Sequence, residues 1–568
     1  MRTTLLLASA LLALTACSGE NHPSSPPAVG ADVAAVSPDP GEKINTELHR
    51  HIAELASDAY QGREPGTAGE DKTIAYLVGE FEALGLQPGN HGDWFQEVPI
   101  TAVKTAHDAV LSLRGENYTA DLSFGDEMVV FTQRQVPVAE LVESPLVFAG
   151  YGINAPERNW NDYADIDVTG KTVVVLINDP GFATQDPALF NGNAMTYYGR
   201  WSYKFEQAAR QGAAGVIIVH ETAPAAYGWD VVRNGGMSAK IGLTAENRKA
   251  DTVAVESWIP LEQARALFAA AGVDYAQASA AAARPGFKAF PLAGITASVT
   301  LNNEVSNKIS HNVAALLPGS KYPDEVVIYT AHWDHLGVRP GTEGDNIYNG
   351  ASDNASGTAA LFSLARMFTE QAQRPERSVL FLAVTAEESG LLGSRWYGEN
   401  PIFALDKTVA NFNMDNIAAG QIGPTSEVAV VGFGNSELEN YLARAAEKQG
   451  RKLVQEPFPE KGFYYRSDHF SLARVGVPAL YLTRSTASEE HGREWGEKRL
   501  QGYIENHYHK PSDEYDPGWD LRGAVQEVQL LYHMGSELAS SRDFPQWTDG
   551  VEFKAIRDAI MAAVPDRE

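Results

Sequence analysis

From about residue 305 onward the chain repeats one unit: a short strand apolar on both faces, a loop, then an amphipathic helix. Val326–Tyr329, Val379–Val384, Val409–Phe412, Val428–Val431 and Pro478–Leu482 are such strands. Thr358–Phe368 is such a helix, with Leu361, Leu364, Ala365 and Phe368 on one face. A strand without a polar face must be covered on both sides, and helices between successive strands supply the cover. The pattern predicts an α/β protein: a three-layer αβα domain around a mixed, mostly parallel central sheet. Ligands in such folds bind beyond the carboxyl ends of the strands, so the residues there decide function.

Those ends and their loops deliver polar groups in series. They are Ala331-His332-Trp333-Asp334-His335, then Asn349 to Gly357 with Asp353 in a small-residue loop at a helix start. Glu387-Glu388, Asn413-Met414-Asp415 and the downstream Asn506-His507-Tyr508-His509-Lys510-Pro511-Ser512-Asp513 complete it. One such residue carries little information, because an Asp before a helix is commonly a cap. Five of them, two imidazoles and three carboxylates with no thiolate, make a donor set suited to zinc, cobalt or manganese. Two ions bridged by one carboxylate is an arrangement that this set supports. The adjacent acids Glu387 and Glu388 repel unless paired or ligated, which points to two acids with different jobs.

As an ordered series, "AHWDH", "SDNASG", "AEESG", "NMD" and "YHKPSD" resemble the catalytic domain of the M28 family of dizinc metallopeptidases over residues 45–140 and 305–535. The resemblance implies two zinc ions per chain, with cobalt or manganese as substitutes. Asp353 would bridge them, with His332 and Asp415 completing one site and Glu388 and His509 the other. It further implies Glu387 as general base, Tyr508 as the oxyanion donor, and Asp334 as acceptor of a hydrogen bond from His332 that fixes its tautomer. Neighbouring residues at an extended strand end point in different directions, so one glutamate would hold metal while the other reaches the water. His335 and His507 are read as supporting or solvated groups. Arg466 and Asp468, in "YYRSDH", resemble a segment that lines the substrate pocket.

Residues 143–292 read differently, with strands at 145–148, 172–177 and 215–219 around a helix at 201–211 and no carboxylate–histidine cluster. This segment resembles the protease-associated (PA) domain inserted in many M28 members, and its aromatic stretch 193–206 invites a lid over the substrate. The catalytic domain is then expected as 44–142 and 293–568. "TGKTVVVL" leads into a strand rather than a helix and lacks the first glycine, so no nucleotide is expected.

The segment MRTTLLLASALLALTAC reads as a secretory signal that is too short to span a bilayer. It resembles a bacterial lipoprotein signal over residues 1–17, with Cys17 as the lipidated residue and Ser18 favouring the outer membrane. Residues 18–43, rich in Ser, Pro, Ala and Gly, read as a tether. Cys17 is the only cysteine, so an intramolecular disulfide is excluded. A formal charge of −28 argues against a nucleic-acid partner. The expectation is an exported, lipid-anchored aminopeptidase facing the periplasm or the exterior, acting on peptides. The alternatives are a carboxypeptidase or dipeptidase on the same scaffold, or a surface binding protein with a structural metal site.

Overall fold

The computed structural model describes residues 39–244, 252–339 and 344–563. The expected signal, the lipidation site Cys17 and nearly all of the expected tether lie outside them. A helix spans Pro40–Leu55, with Pro40 at its first position and Glu42 in its first turn, both favourable there. It therefore takes in residues 40–43, which were expected in the tether. The second helix begins at Ala68, because the Thr67 hydroxyl accepts from the Gly69 N–H and caps it.

The catalytic sheet is mixed. Its centre is four parallel strands in the order Arg377–Val384, Tyr322–His332, Thr408–Asn413 and Ala479–Thr483. Antiparallel strands flank them: Phe290–Leu317 beside the first and Glu427–Val431 beside the last. Period-two alternation sorts the side chains onto two faces. Val327, Tyr329, Phe381 and Phe412 pack under the helices Pro40–Leu55, Ser356–Thr369 and Arg522–Ala539. Val326, Ile328, Leu380 and Leu382 pack under Leu392–Glu399 and His469–Arg474, through Tyr397 and Leu472. This is the expected three-layer α/β arrangement. The register sets His332 opposite Val384 and Asn413 opposite Thr330, so three loops leave the sheet at one edge.

The inserted region forms a sheet of its own, with Val138–Phe148, Thr172–Leu176, Gly215–His220 and Val255–Pro260 all parallel. The expected boundaries at 143 and 292 fall inside strands rather than linkers. Val110–Gly115 and Tyr118–Ser123 already belong to this sheet. Its exit is the 28-residue strand Phe290–Leu317, which pairs with Val138–Phe148 at one end and with Phe95–Thr105 and Arg377–Val384 at the other. The alternating, half-exposed middle of that strand carries no composition break, which is why the boundary is invisible in the sequence. Lys240–Leu243 also leaves the insert to pair with Phe95–Thr105.

Helix Arg522–Ala539 packs on the sheet at close range. The Tyr329 hydroxyl donates to Leu531 O at 2.7 Å, and a Cβ at Gly535 would overlap that hydroxyl. Gly535→Ala is expected to destabilise the fold by about 1–3 kcal/mol through overpacking. Denaturant unfolding checks this: the midpoint should fall with an unchanged slope.

Candidate metal and catalytic site

Five loops converge at the sheet edge. The peptide before Asn354 is cis, and the segment Ala351–Ala355 kinks before the helix Ser356–Thr369 begins. Asn354 holds the kink: its Oδ1 accepts from Gly357 N and Asn416 N at 3.0 Å, and its Nδ2 donates to Met414 O at 3.0 Å. From below, the Asp513 carboxylate accepts from the N–H groups of Ser352 and Asp353 at 3.1–3.2 Å. Asp353 is thus presented by backbone that other side chains hold.

Each of its carboxylate oxygens faces a separate group of donors. Asp353 Oδ1 lies 3.3 Å from His332 Nε2, which lies 3.4 Å from Asp415 Oδ1. On the other side His509 Nε2 is 3.1 Å from both Asp353 Oδ2 and Glu388 Oε2. Donors at tetrahedral angles around an ion, with bonds of about 2.1 Å, stand about 3.4 Å apart. Nε2 of both histidines is buried without a hydrogen-bond partner. The spacing, the orphaned nitrogens and the N/O chemistry all fit divalent ions bridged by Asp353.

His335 approaches Glu388 from the opposite side, its Nδ1 2.6 Å from Oε1, and is fully buried. It can join Asp353 and Glu388 as a donor group. His509 is the better third ligand, since its one nitrogen touches both carboxylates. His335 is a buried brace for Glu388 rather than a solvated group. His507 is exposed and faces Ser512 O at 2.8 Å.

The structure corrects two expectations about the paired glutamates. Asp334 was expected to take a hydrogen bond from His332 through its carboxylate, but His332 Nδ1 faces the Asp334 backbone carbonyl at 3.2 Å and stands 3.8 Å from Oδ1. The carboxylate instead accepts from the N–H groups of Glu387 (3.0 Å) and Glu388 (3.4 Å). Strand alternation was also the wrong reason for the divergence of the two acids. The strand ends at Val384, Ala386 is left-handed (φ 53°), and the pair sits in a turn that Asp334 caps. Glu387 belongs to neither donor group; its Oε2 is 4.0 Å from His332 Nε2.

Electrostatics sharpen the division. Burial opposes ionisation of Glu388, yet His509 and His335 hold its carboxyl down at about 2. Burial pushes the Glu387 carboxyl well above its ordinary range, with His332 opposing and Glu388 and Asp415 adding to the rise. Burial also lifts Asp334 and Asp513 to about 7. Burial disfavours the His509 imidazolium, but Glu388 and Asp353 outweigh it and raise the ring to about 10. Beneath the acids lies Arg63, fully buried, with four bonds of 2.6–2.9 Å to the carbonyls of Trp333, Leu55, Asn349 and Gly350. Sequence reasoning missed Arg63, which stands in the loop GREPGTAGE with no marking pattern, and left Asp513 without a role although its motif was in view.

A cavity of about 580 Å³ opens on the site. Asp415, Tyr508, Arg466 and Tyr481 line it from the catalytic domain, and Arg200 and Trp201 from the insert. Tyr508 stacks on His509 with ring centroids 3.9 Å apart. Of the stretch 193–206, Arg200 and Trp201 line the cavity, and other residues pack on the catalytic domain: Tyr197 lies 5.1 Å from Phe470, Met195 N donates to Pro459 O at 3.1 Å, and Arg474 pairs with Glu206 at 3.7 Å. Asp468, expected at the cavity wall with Arg466, is wholly buried at the start of helix His469–Arg474, where burial lifts its carboxyl to about 7. It backs the site rather than lining the cavity.

A mixed α/β sheet thus gathers two histidine–carboxylate groups around one shared aspartate, a donor set that fits divalent ions. The model of Peptidase family M28 matches residues 312–533. The chain is 34% identical over 139 residues to the aminopeptidase NAALADL1 of Mus musculus, covering 23% of this chain and 17% of that one. It is 31% identical over 192 residues to the glutamate carboxypeptidase 2 homolog of Caenorhabditis elegans, covering 31% and 23%. The chain thus spans less than a quarter of the length of either relative. Among solved structures it is similar to the aminopeptidase from Aneurinibacillus sp. strain AM-1, at 19% identity and TM-score 0.47, covering 87% of this chain and 93% of that one.

Glu388 and Asp353 raise the His509 imidazolium to about 10, whereas a histidine binds metal deprotonated. Metal binding should therefore release a proton, and affinity should rise with pH up to about 10. Calorimetry in buffers of different ionisation enthalpy checks this; proton-neutral binding at pH 7 would contradict it.

Proposed function

We propose that the chain is an exported zinc-dependent aminopeptidase that removes N-terminal residues from peptides. The observation that carries the reading is Asp353, whose two oxygens each serve one histidine–carboxylate group while Glu387, alongside, serves neither. His332, Asp353 and Asp415 would hold one zinc, and Asp353, Glu388 and His509 the other. When bound, the ions supply Lewis acidity toward the scissile carbonyl and acidify a water.

The chain's own groups do the rest. Glu387, unligated and held by its N–H to Asp334, takes the proton from the attacking water. The carbonyl oxygen gains charge as the C–O bond forms, and the Tyr508 hydroxyl donates to it. Glu387 then returns the proton to the nitrogen as the C–N bond breaks. A substrate's free ammonium would pair with Glu387 and with Asp415, which lines the cavity. Asp334 positions rather than reacts, because its carboxylate is spent on the glutamate turn.

Similarity to an aminopeptidase supports the choice of free-amine substrates. A carboxypeptidase is the second reading, favoured by the exposed cation Arg466 in the cavity and by the glutamate carboxypeptidase homolog. Aminoacyl anilides with a free amine, set against N-blocked peptides with a free carboxyl end, separate the two; cleavage of only the blocked set overturns the first reading. Residues 1–17 support export and anchoring through Cys17 to a membrane, most consistently the outer one, and the insert is read as a PA-type domain. Cys17→Ser should move the protein from the membrane to the soluble fraction; retention on membranes would refute lipidation there.

Glu387→Gln should keep both metals and lower kcat by about 10²–10⁴, the range for a lost general base. Glu388→Gln should instead lower metal content, read by elemental analysis. Equal metal loss in both variants would refute the division of roles.

A further inference from the structure

The cavity that holds Asp415 and Tyr508 in its wall also holds Glu456, a carboxylate that the mechanism does not use. Glu456 follows the strand Lys452–Gln455, which pairs with Glu427–Val431, and it is 8% exposed. Its Oε1 accepts from Gly432 N at 3.3 Å, whereas Oε2 is buried without a hydrogen-bond partner. Among the described residues no cationic side chain pairs with it. Two cations of the same wall rest on aromatic rings instead: Lys461 is 4.4 Å from the Phe458 centroid and Arg466 is 5.4 Å from that of Phe463. Burial lifts the Glu456 carboxyl to about 7 against the Gly432 bond, and the acid Glu460 adds to the rise. A buried carboxylate without a cation is costly, and a charged ligand would remove the cost.

Strand register places Glu456 relative to the metal ligands. Asn413, two residues before Asp415, lies level with Tyr481, and Tyr481 faces Val431. Gln455 faces Val430, and Glu456 N donates to Val430 O at 3.2 Å, so Glu456 stands beside Val431. Residues level with one another in a sheet point to the same face. Tyr481 and Glu456 accordingly line one cavity with Asp415. Three strand spacings put the Glu456 backbone about 14 Å from that of Asn413. An extended peptide advances about 3.3 Å per residue, so roughly four residues cover that distance, and a long side chain saves one of them.

Resting on the aminopeptidase reading, we propose that Glu456 is a specificity-determining residue that binds the cationic side chain of a lysine or arginine at the third or fourth position of the peptide substrate. The ammonium or guanidinium gives Oε2 the partner that it lacks, through a charge-assisted hydrogen bond. Phe458 and Tyr227, which line the same cavity, offer apolar cover for the stem of that side chain. The preferred substrates are then peptides of four or more residues with positive charge downstream of the scissile bond.

Four free-amine pentapeptide amides test this: Leu-Ala-Lys-Ala-Ala, Leu-Ala-Gln-Ala-Ala, Leu-Ala-Ala-Lys-Ala and Leu-Ala-Ala-Gln-Ala, with release of leucine as the readout. In the zinc-loaded enzyme at least one lysine peptide should exceed its glutamine partner in kcat/KM by about tenfold, the scale of a charge-assisted hydrogen bond. Glu456→Gln, which keeps an acceptor for the Gly432 N–H, should bring that ratio close to one. Because each ratio is internal to one preparation, partial unfolding does not shift it. General attraction of cations to a chain of formal charge −28 would persist in the variant. Ratios near one in the unaltered enzyme, or a lysine preference that survives Glu456→Gln, therefore overturn the inference and leave the aminopeptidase reading standing. No release of leucine from any of the four overturns both.

Discussion

Everything at the sheet edge answers to one electrostatic demand. Asp334, Asp353, Glu387, Glu388, Asp415, Asp468 and Asp513 are gathered into one partly dry region, where isolated carboxylates resist ionisation. Fixed counter-charge comes from Arg63 below and from His332 and His509 beside Asp353. Backbone N–H groups supply the rest: Asp334 and Asp513 each spend their oxygens on the turns that carry the reacting residues. The remaining negative excess is what divalent cations would neutralise. The acids are held before the ions arrive, which is the condition for a preorganised site.

That arrangement also explains why Glu387 and Glu388 behave so differently although they are adjacent. The Glu388 carboxyl lies between two imidazoles that favour its ionised form, whereas burial, and then neighbouring acids, make Glu387 hold its proton more readily. A group that exchanges a proton readily suits a base that must also return it. Stiffness comes from the turn, whose backbone Asp334 ties down.

Much of this was legible in the residues. Strands apolar on both faces forced a covered parallel sheet, and the spacing of polar motifs after them pointed to one edge. Contacts made by backbone were not legible. Nothing in "GREPGTAGE" marks Arg63 as a buried donor to four carbonyls, and nothing in "HWDH" tells whether Asp334 turns to an imidazole or to a peptide N–H. Asp468 was misplaced because the resemblance of "YYRSDH" to a pocket-lining segment was carried to each polar residue in it, whereas the helix starting at His469 carries Asp468 inward. The insert's edges were misplaced because a strand that crosses between sheets leaves no break in composition.

That crossing strand, Phe290–Leu317, has a mechanical consequence. Its pairing passes from the insert's sheet, through two register shifts, into the catalytic one. Excising the insert would strip pairing from half of its length and expose a raw edge beside Phe95–Thr105. The insert is thus tied to the catalytic domain through a strand they share, while its loops and helix starts, where Arg200 stands, lie outside that pairing.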